Sequence, residues 1–176
     1  MQTRSLTKVA MLYGIYYGLA TVVITLVFYL LGAELQSTLP TTLNYLALIA
    51  SMYLGVKSYR DQDLGGAISY SRSILTSVMI SVFGAVIISS FTIILYSFID
   101  PSLPGQMQEA VQQQLIERGI PDEQVDEAMS RMKMMFSPVG MFLTGVLGAA
   151  IIGFIISLVL SIFTRKEANP FQNNLS

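Results

Sequence analysis

The densest run of reactive side chains is Lys57-Ser-Tyr-Arg-Asp-Gln-Asp-Leu-Gly-Gly-Ala-Ile-Ser-Tyr-Ser-Arg72. Asp61, Asp63 and Gly66 imitate the opening of a calcium loop, where alternating carboxylates and a sharp turn wrap a hard cation. The position that should carry the closing bidentate Glu is Arg72, so the reading fails on charge. A D-x-D site for a metal–phosphate is a second reading, and a weak pattern. A plainer account covers every residue. Gly65-Gly66 makes a chain reversal, while Lys57, Arg60 and Arg72 meet lipid phosphates and pair with the two aspartates.

Two other groupings could do chemistry. Met129, Met132, Met134 and Met135 present thioethers, which suit copper(I). With neither Cys nor His in the chain, a Met cluster on an amphipathic helix reads better as adaptable packing. The second grouping is a series of hydroxyl residues, Ser73, Ser77, Ser81 and Ser89, which could line a polar path. Serine within an apolar helix usually returns its hydroxyl to a backbone carbonyl, and no ionisable residue accompanies these. The absence of Cys and His removes thiolate metal sites and the commonest general base. No catalytic, cofactor-binding or metal-binding residue is therefore assigned, and no cofactor is expected.

The elements that carry these residues belong to a membrane. Apolar residues make up 53% of the 176 and charged residues 12%, against about 25% charged in soluble domains. Ten Lys and Arg against eleven Asp and Glu exclude a basic nucleic-acid binder. Crossing a hydrocarbon core of ~30 Å takes about 20 helical residues. Uncharged runs of that length occur at Val9–Ala33, Leu35–Val56, Ser73–Ile99 and Ser137–Thr164. The predicted spans are about 9–31, 40–56, 73–99 and 138–164, with Pro40 and Pro138 near helix starts. The fourth run holds fifteen Leu, Ile, Val or Phe residues, worth roughly −4 to −9 kcal/mol of insertion free energy. The first run is too long for a cleaved signal and no A-x-A site follows it, so it reads as a retained span.

Basic residues set an orientation. Arg4, Lys8, Lys57, Arg60, Arg72, Arg165 and Lys166 fall on one side, and Arg118, Arg131 and Lys133 on the other. Positive-inside bias puts both termini and the 57–72 loop in the cytoplasm. Tyrosines cluster toward the span ends, as an interfacial belt would require.

Lipid is as apolar as leucine, so spans must associate through small residues and hydrogen bonds. Each span carries such residues four apart. They are Ala10, Gly14 and Gly18; Ala47, Ser51 and Gly55; Ser73, Ser77, Ser81, Ala85 and Ser89; and Gly145, Ala149, Gly153, Ser157 and Ser161. No span contains Asp, Glu, Lys, Arg or His, which disfavours ion-coupled carriers.

Residues 100–136 are expected to form an external amphipathic helical hairpin. Leu103, Met107, Val111 and Leu115 form one stripe, Gly119 stops the first helix and Pro121 starts the second. Val125, Met129, Met132 and Phe136 form the other stripe. Seven acids against three bases give this segment a net charge of −4.

Tyr59-Arg60-Asp61, Gly65-Gly66, Ile68-Ser69-Tyr70 and Ile99-Asp100-Pro101, with Phe136-Ser137-Pro138 leading into a Gly/Ala-rich last span, resemble the bacterial family called domain of unknown function 4199. The resemblance covers nearly the whole chain. It implies small four-span proteins of a bacterial inner membrane, and it brings no activity, substrate or site residue.

The fold class expected is therefore all-α and polytopic, a single membrane domain over 1–176 with 100–136 as an insertion. The expected role is non-enzymatic, exercised through protein or lipid contacts. The partners are the lipid bilayer and a membrane-protein partner or second copy, with no nucleic acid. The alternative is a small transporter or channel component.

Overall fold

The computed structural model describes residues 4–32 and 37–166. Of the connection expected between the first two spans, residues 33–36 lie outside the described residues. The elements are α1 (Leu6–Leu30), α2 (Thr38–Ser58), α3 (Tyr70–Ile94), α4 (Leu103–Glu117), α5 (Asp122–Met132) and α6 (Pro138–Thr164). α2 and α3 each run on into one π-helical turn, at Tyr59–Asp63 and Leu95–Ile99. The described residues contain no strand, only one isolated antiparallel bridge between Ile68 and Lys166.

Four helices are long and apolar enough to cross a membrane: Leu6–Leu30, Thr38–Asp63, Tyr70–Ile99 and Pro138–Thr164. The protein is an all-α, multi-pass membrane protein. Their outward faces are apolar, as lipid requires. On α6, Leu147, Ile151, Ile155 and Ile162 are all exposed, one above another at helical spacing.

Local chemistry sets the boundaries. The Ser5 side chain caps α1 by accepting the backbone N–H of Lys8. Ser137 caps α6, its hydroxyl accepting from Gly140 N at 3.1 Å, and Pro138 occupies the first turn. α2 begins at Thr38, two residues ahead of Pro40, so the proline lies inside the first turn. A proline there removes only an N–H that has no intrahelical partner.

The chain divides into two compact units, one of the described residues up to Ile88 with those from Leu147, the other of Ser89–Val146. In the first unit, Ala10, Tyr17, Leu48, Met52 and Ile80 form a buried cluster that Phe83, Ile156 and Leu160 complete. A second cluster of Val9, Val56, Tyr59 and Ile68 lies at the charged end of α1 and α2. Tyr17 is therefore a core residue rather than a member of an interfacial belt.

Glycines permit the closest approaches. A Cβ on Gly14 would lie 2.6 Å from Phe83 Cβ, and one on Gly18 2.9 Å from Ile87 Cβ, so α1 rests on α3 through its G-x-x-x-G face. Gly84 supplies the matching gap on α3, where a Cβ would strike the Tyr17 ring. In α2 the small-residue series matters only at Gly55. Ala47 and Ser51 are half-buried, while the larger Leu48, Met52 and Val56 fill the interior.

In the second unit α4 ends at a left-handed Gly119, φ +74°. Ile120 N donates to Leu115 O at 3.2 Å and Gly119 N to Ile116 O at 2.8 Å, the paired bonds of a glycine C-cap. α5 then starts after Pro121 with Asp122 and Glu123 in its first turn. Val125 is buried, and Met107, Val111, Leu115 and Met129 are half-buried.

Candidate functional site

One end of the first unit gathers the charged side chains among its described residues. The charge-free stretch of α2 stops at Val56, yet the backbone stays helical to Asp63. Residues 57–63 are therefore helix rather than loop, and only 64–69 form the connection to α3. Leu64 N reaches back to Tyr59 O at 3.1 Å, one residue further than an α-helical bond. Gly65 and Gly66 then take φ +68° and +92° and reverse the chain, as their positions in the sequence imply.

Asp63 receives Arg4. The Arg4 backbone N–H donates to Oδ1 at 2.7 Å, while Nε and Nη2 donate to Oδ2 at 3.2 and 3.0 Å. Arg4 Nη2 also donates to Gln62 Oε1 at 2.6 Å and Ser58 Oγ at 3.1 Å. The Asp63 side chain is only 4% exposed. Burial pushes its carboxyl up, and the Arg4 hydrogen bonds and charge more than offset this, leaving it below the usual carboxylate range.

Asp61 takes a different partner. Arg60 Nε and Nη2 donate to its two oxygens at 2.7 and 3.2 Å, and Arg60 Nη1 donates to Thr164 O at 3.0 Å. That carbonyl lies at the C-terminus of α6, where the negative end of the helix dipole favours a cation. The Arg60 hydrogen bond holds the Asp61 carboxyl below its usual range, against a smaller opposing effect of burial. Arg72 pairs with neither aspartate. Its Nη2 donates to the Tyr59 hydroxyl at 3.1 Å, with the guanidinium carbon 5.6 Å from that ring's centroid. The expected pairing of the loop cations with both aspartates thus holds for Arg60 alone, because Arg4 takes Asp63.

Three further links join the 64–73 segment to α6. Ile68 N donates to Lys166 O at 2.8 Å and Lys166 N to Ile68 O at 3.1 Å. The Ser73 and Thr164 hydroxyls share a 2.7 Å hydrogen bond. Tyr70 OH donates to Leu158 O at 3.0 Å.

Beyond this closure the α3 hydroxyl series continues inward. Ser73, Ser77, Ser81 and Ala85 are all buried, as are Ser157 and Ser161 of α6. Ser81 returns its hydroxyl to Val78 O at 2.8 Å and Ser157 to Phe154 O at 2.7 Å. A Cβ on Gly153 would collide with the Ser81 side chain. The series is thus a packed ridge, in which Ser77 Oγ and Ser161 Oγ are buried with no hydrogen-bond partner. In the second unit Ser89 is likewise buried, against Gly145.

Asp61, Asp63 and Arg72 therefore do not converge on one centre. Among the described residues no group of three or more carboxylates gathers. Met134 and Met135 are both exposed, while Met129 and Met132 are half-buried. Sequence reasoning missed Arg4 and Thr164 as parts of this closure, and Gly84 as the partner of Gly14 and Gly18.

A family model described as a protein of unknown function (DUF4199) matches residues 12–166. Comparison with curated proteins and with solved structures finds no match.

Proposed function

We propose, from the premise that this chain belongs to the DUF4199 family, whose function is unknown, that it is a non-enzymatic membrane protein acting through protein or lipid contacts. The observation that carries this reading is the engagement of its reactive side chains by one another. Arg4, Arg60, Asp61, Asp63 and Arg72 all have partners within the protein, and the Arg4–Asp63 and Arg60–Thr164 contacts join segments far apart in the chain. The same packing weighs against the alternative of a small transporter or channel component. The α3 ridge that would line a path is filled at Ser73 by Thr164 and at Ser81 by Gly153.

The setting we propose is a bacterial cytoplasmic membrane, with both termini and the 57–72 segment on the cytoplasmic side. The acidic 100–136 segment forms an external helical hairpin. Its half-buried apolar stripes favour burial between α4 and α5 or against a protein partner over attachment to an anionic lipid surface.

Reporter fusions at residues 65 and 120 test the arrangement, with opposite sides expected and the same side overturning it. Cross-linking at native expression, followed by mass spectrometry, tests the role. Recovery of a defined membrane-protein partner or a second copy is expected. Recovery of monomer alone would refute action through protein contacts.

A further inference from the structure

The closure engages Arg4 and Arg60 with the two aspartates and leaves other cations beside them. Among the described residues Lys57, Arg165 and Lys166 make no ion pair. Lys57 lies one turn before Asp61 on the same helix, within reach of that carboxylate. Arg60 bridges Asp61 to the carbonyl of Thr164, two residues before Lys166. Helix register and the Thr164 link thus bring Lys57 and Lys166 near the carboxylate that Arg60 holds, and the cluster carries an excess of positive charge. The lowered Asp61 carboxyl agrees with this, since Lys57 and Lys166 both add to the effect of Arg60.

Depth is the second observation. Val56 ends the uncharged run of α2 and Thr164 that of α6, and the Arg60–Thr164 bond ties the two ends together. The cluster therefore begins where hydrocarbon gives way to headgroups. Just inside it the exposed residues are apolar: Leu54 on α2, and Val159, Ile162 and Phe163 on α6. A positive rim above an apolar wall matches a molecule with a negative head and hydrocarbon tails.

We propose that Lys57 and Lys166 hold the headgroup phosphate of an anionic phospholipid, whose acyl chains lie along the exposed apolar residues of α2 and α6. This deepens the contact-based reading above by naming a lipid class. It can fail separately, since it is measured on isolated protein and partner recovery is measured in cells.

The test uses the full chain in nanodiscs of phosphatidylcholine, alone or with phosphatidylglycerol as the minor lipid. Retained lipid is read by native mass spectrometry. The wild-type protein is expected to retain phosphatidylglycerol in preference. Lys57→Gln and Lys166→Gln should each weaken that preference about fivefold, while Lys8→Gln, an exposed lysine of α1, leaves it intact. The Lys57→Arg/Lys166→Arg pair should keep the preference and shows that the fold survives change at both positions. An unchanged preference in both Gln variants would overturn the proposal. So would an equal loss in Lys8→Gln, which would reduce the effect to general surface charge. Competition by inorganic phosphate at the same effective concentration would also overturn it, assigning the cluster to a soluble anion.

Discussion

Arg4 and Asp63 meet twice within one contact: the arginine's backbone N–H lies 2.7 Å from Oδ1 and its guanidinium 3.0 Å from Oδ2. The residue entering α1 is thereby fixed to the residue at which the α2 helix ends. Two interactions of unlike origin converge on one buried carboxylate, and only one of them depends on the arginine side chain.

Arg4→Ala should therefore weaken the first unit without releasing the segment fully, because the backbone donor survives. Loss of charge-assisted hydrogen bonds to a nearly buried carboxylate is worth about 1–3 kcal/mol. Asp63→Ala removes the acceptor for both donors and should cost at least as much. Unfolding midpoints in mild detergent check the order.

Acid should have the same effect as these variants. The folded-state carboxyl of Asp63 is depressed, so its contribution is present at neutral pH and is lost as pH falls through that lowered value. The expected window lies below about pH 4, the ordinary Asp value. Protection from hydrogen exchange at the start of α1, taken relative to the intrinsic rate at each pH, should fall there in the wild type and stay constant in Asp63→Asn. Asp61 is also depressed but is exposed, so its loss should matter less.

Glycines of the same spans should respond unequally. Gly14→Ala puts a Cβ 2.6 Å from that of Phe83, which forces α1 away from α3; such overpacking costs about 1–3 kcal/mol. Gly84→Ala should act alike through Tyr17. Gly148→Ala meets nothing within 4 Å and should stay within about 0.5 kcal/mol of wild type. Thermal stability of the three variants decides the matter.

The α3 and α6 hydroxyls should also divide by sign. Ser73→Ala breaks the bond to Thr164 and should cost on the order of 0.6 kcal/mol, the average for interhelical hydrogen bonds in membranes. Ser77→Ala and Ser161→Ala remove buried hydroxyls with no partner and should be neutral or stabilising. Unfolding measurements on the single variants read this directly. Marked destabilisation by either of the latter two would mean that the hydroxyl is hydrogen-bonded in the folded protein.

Gly119→Ala should loosen α4 from α5, since a φ of +74° is strained for any side chain bearing a Cβ. A penalty of about 1 kcal/mol should appear as faster hydrogen exchange over 103–132, with the first unit unaffected.

The spans were legible because lipid imposes one dominant rule, and an uncharged run cannot hide. The Gly119 stop and the Pro121 start were legible for a similar reason: each follows from the chain's own dihedral preferences. What escaped depended on distance along the chain. Nothing near Asp63 announces that its partner is Arg4, because the nearest cation in sequence is Arg60. Gly84 escaped for a different reason. The four-residue series selects Ala85, and only the position of the α1 ring shows that the neighbouring glycine is the one required. The π turns at Tyr59–Asp63 and Leu95–Ile99 have no sequence signature that we can state.

The Ile68–Lys166 bridge sets an order of events. Its two halves are separated by the whole of α3 through α6, so the pairing forms only after the last span has been synthesised and inserted. Until then the backbone groups of Ile68 and the hydroxyl of Ser73 wait for partners that do not yet exist. A chain halted before α6 would leave both the Ile68 backbone groups and the Ser73 hydroxyl without these partners.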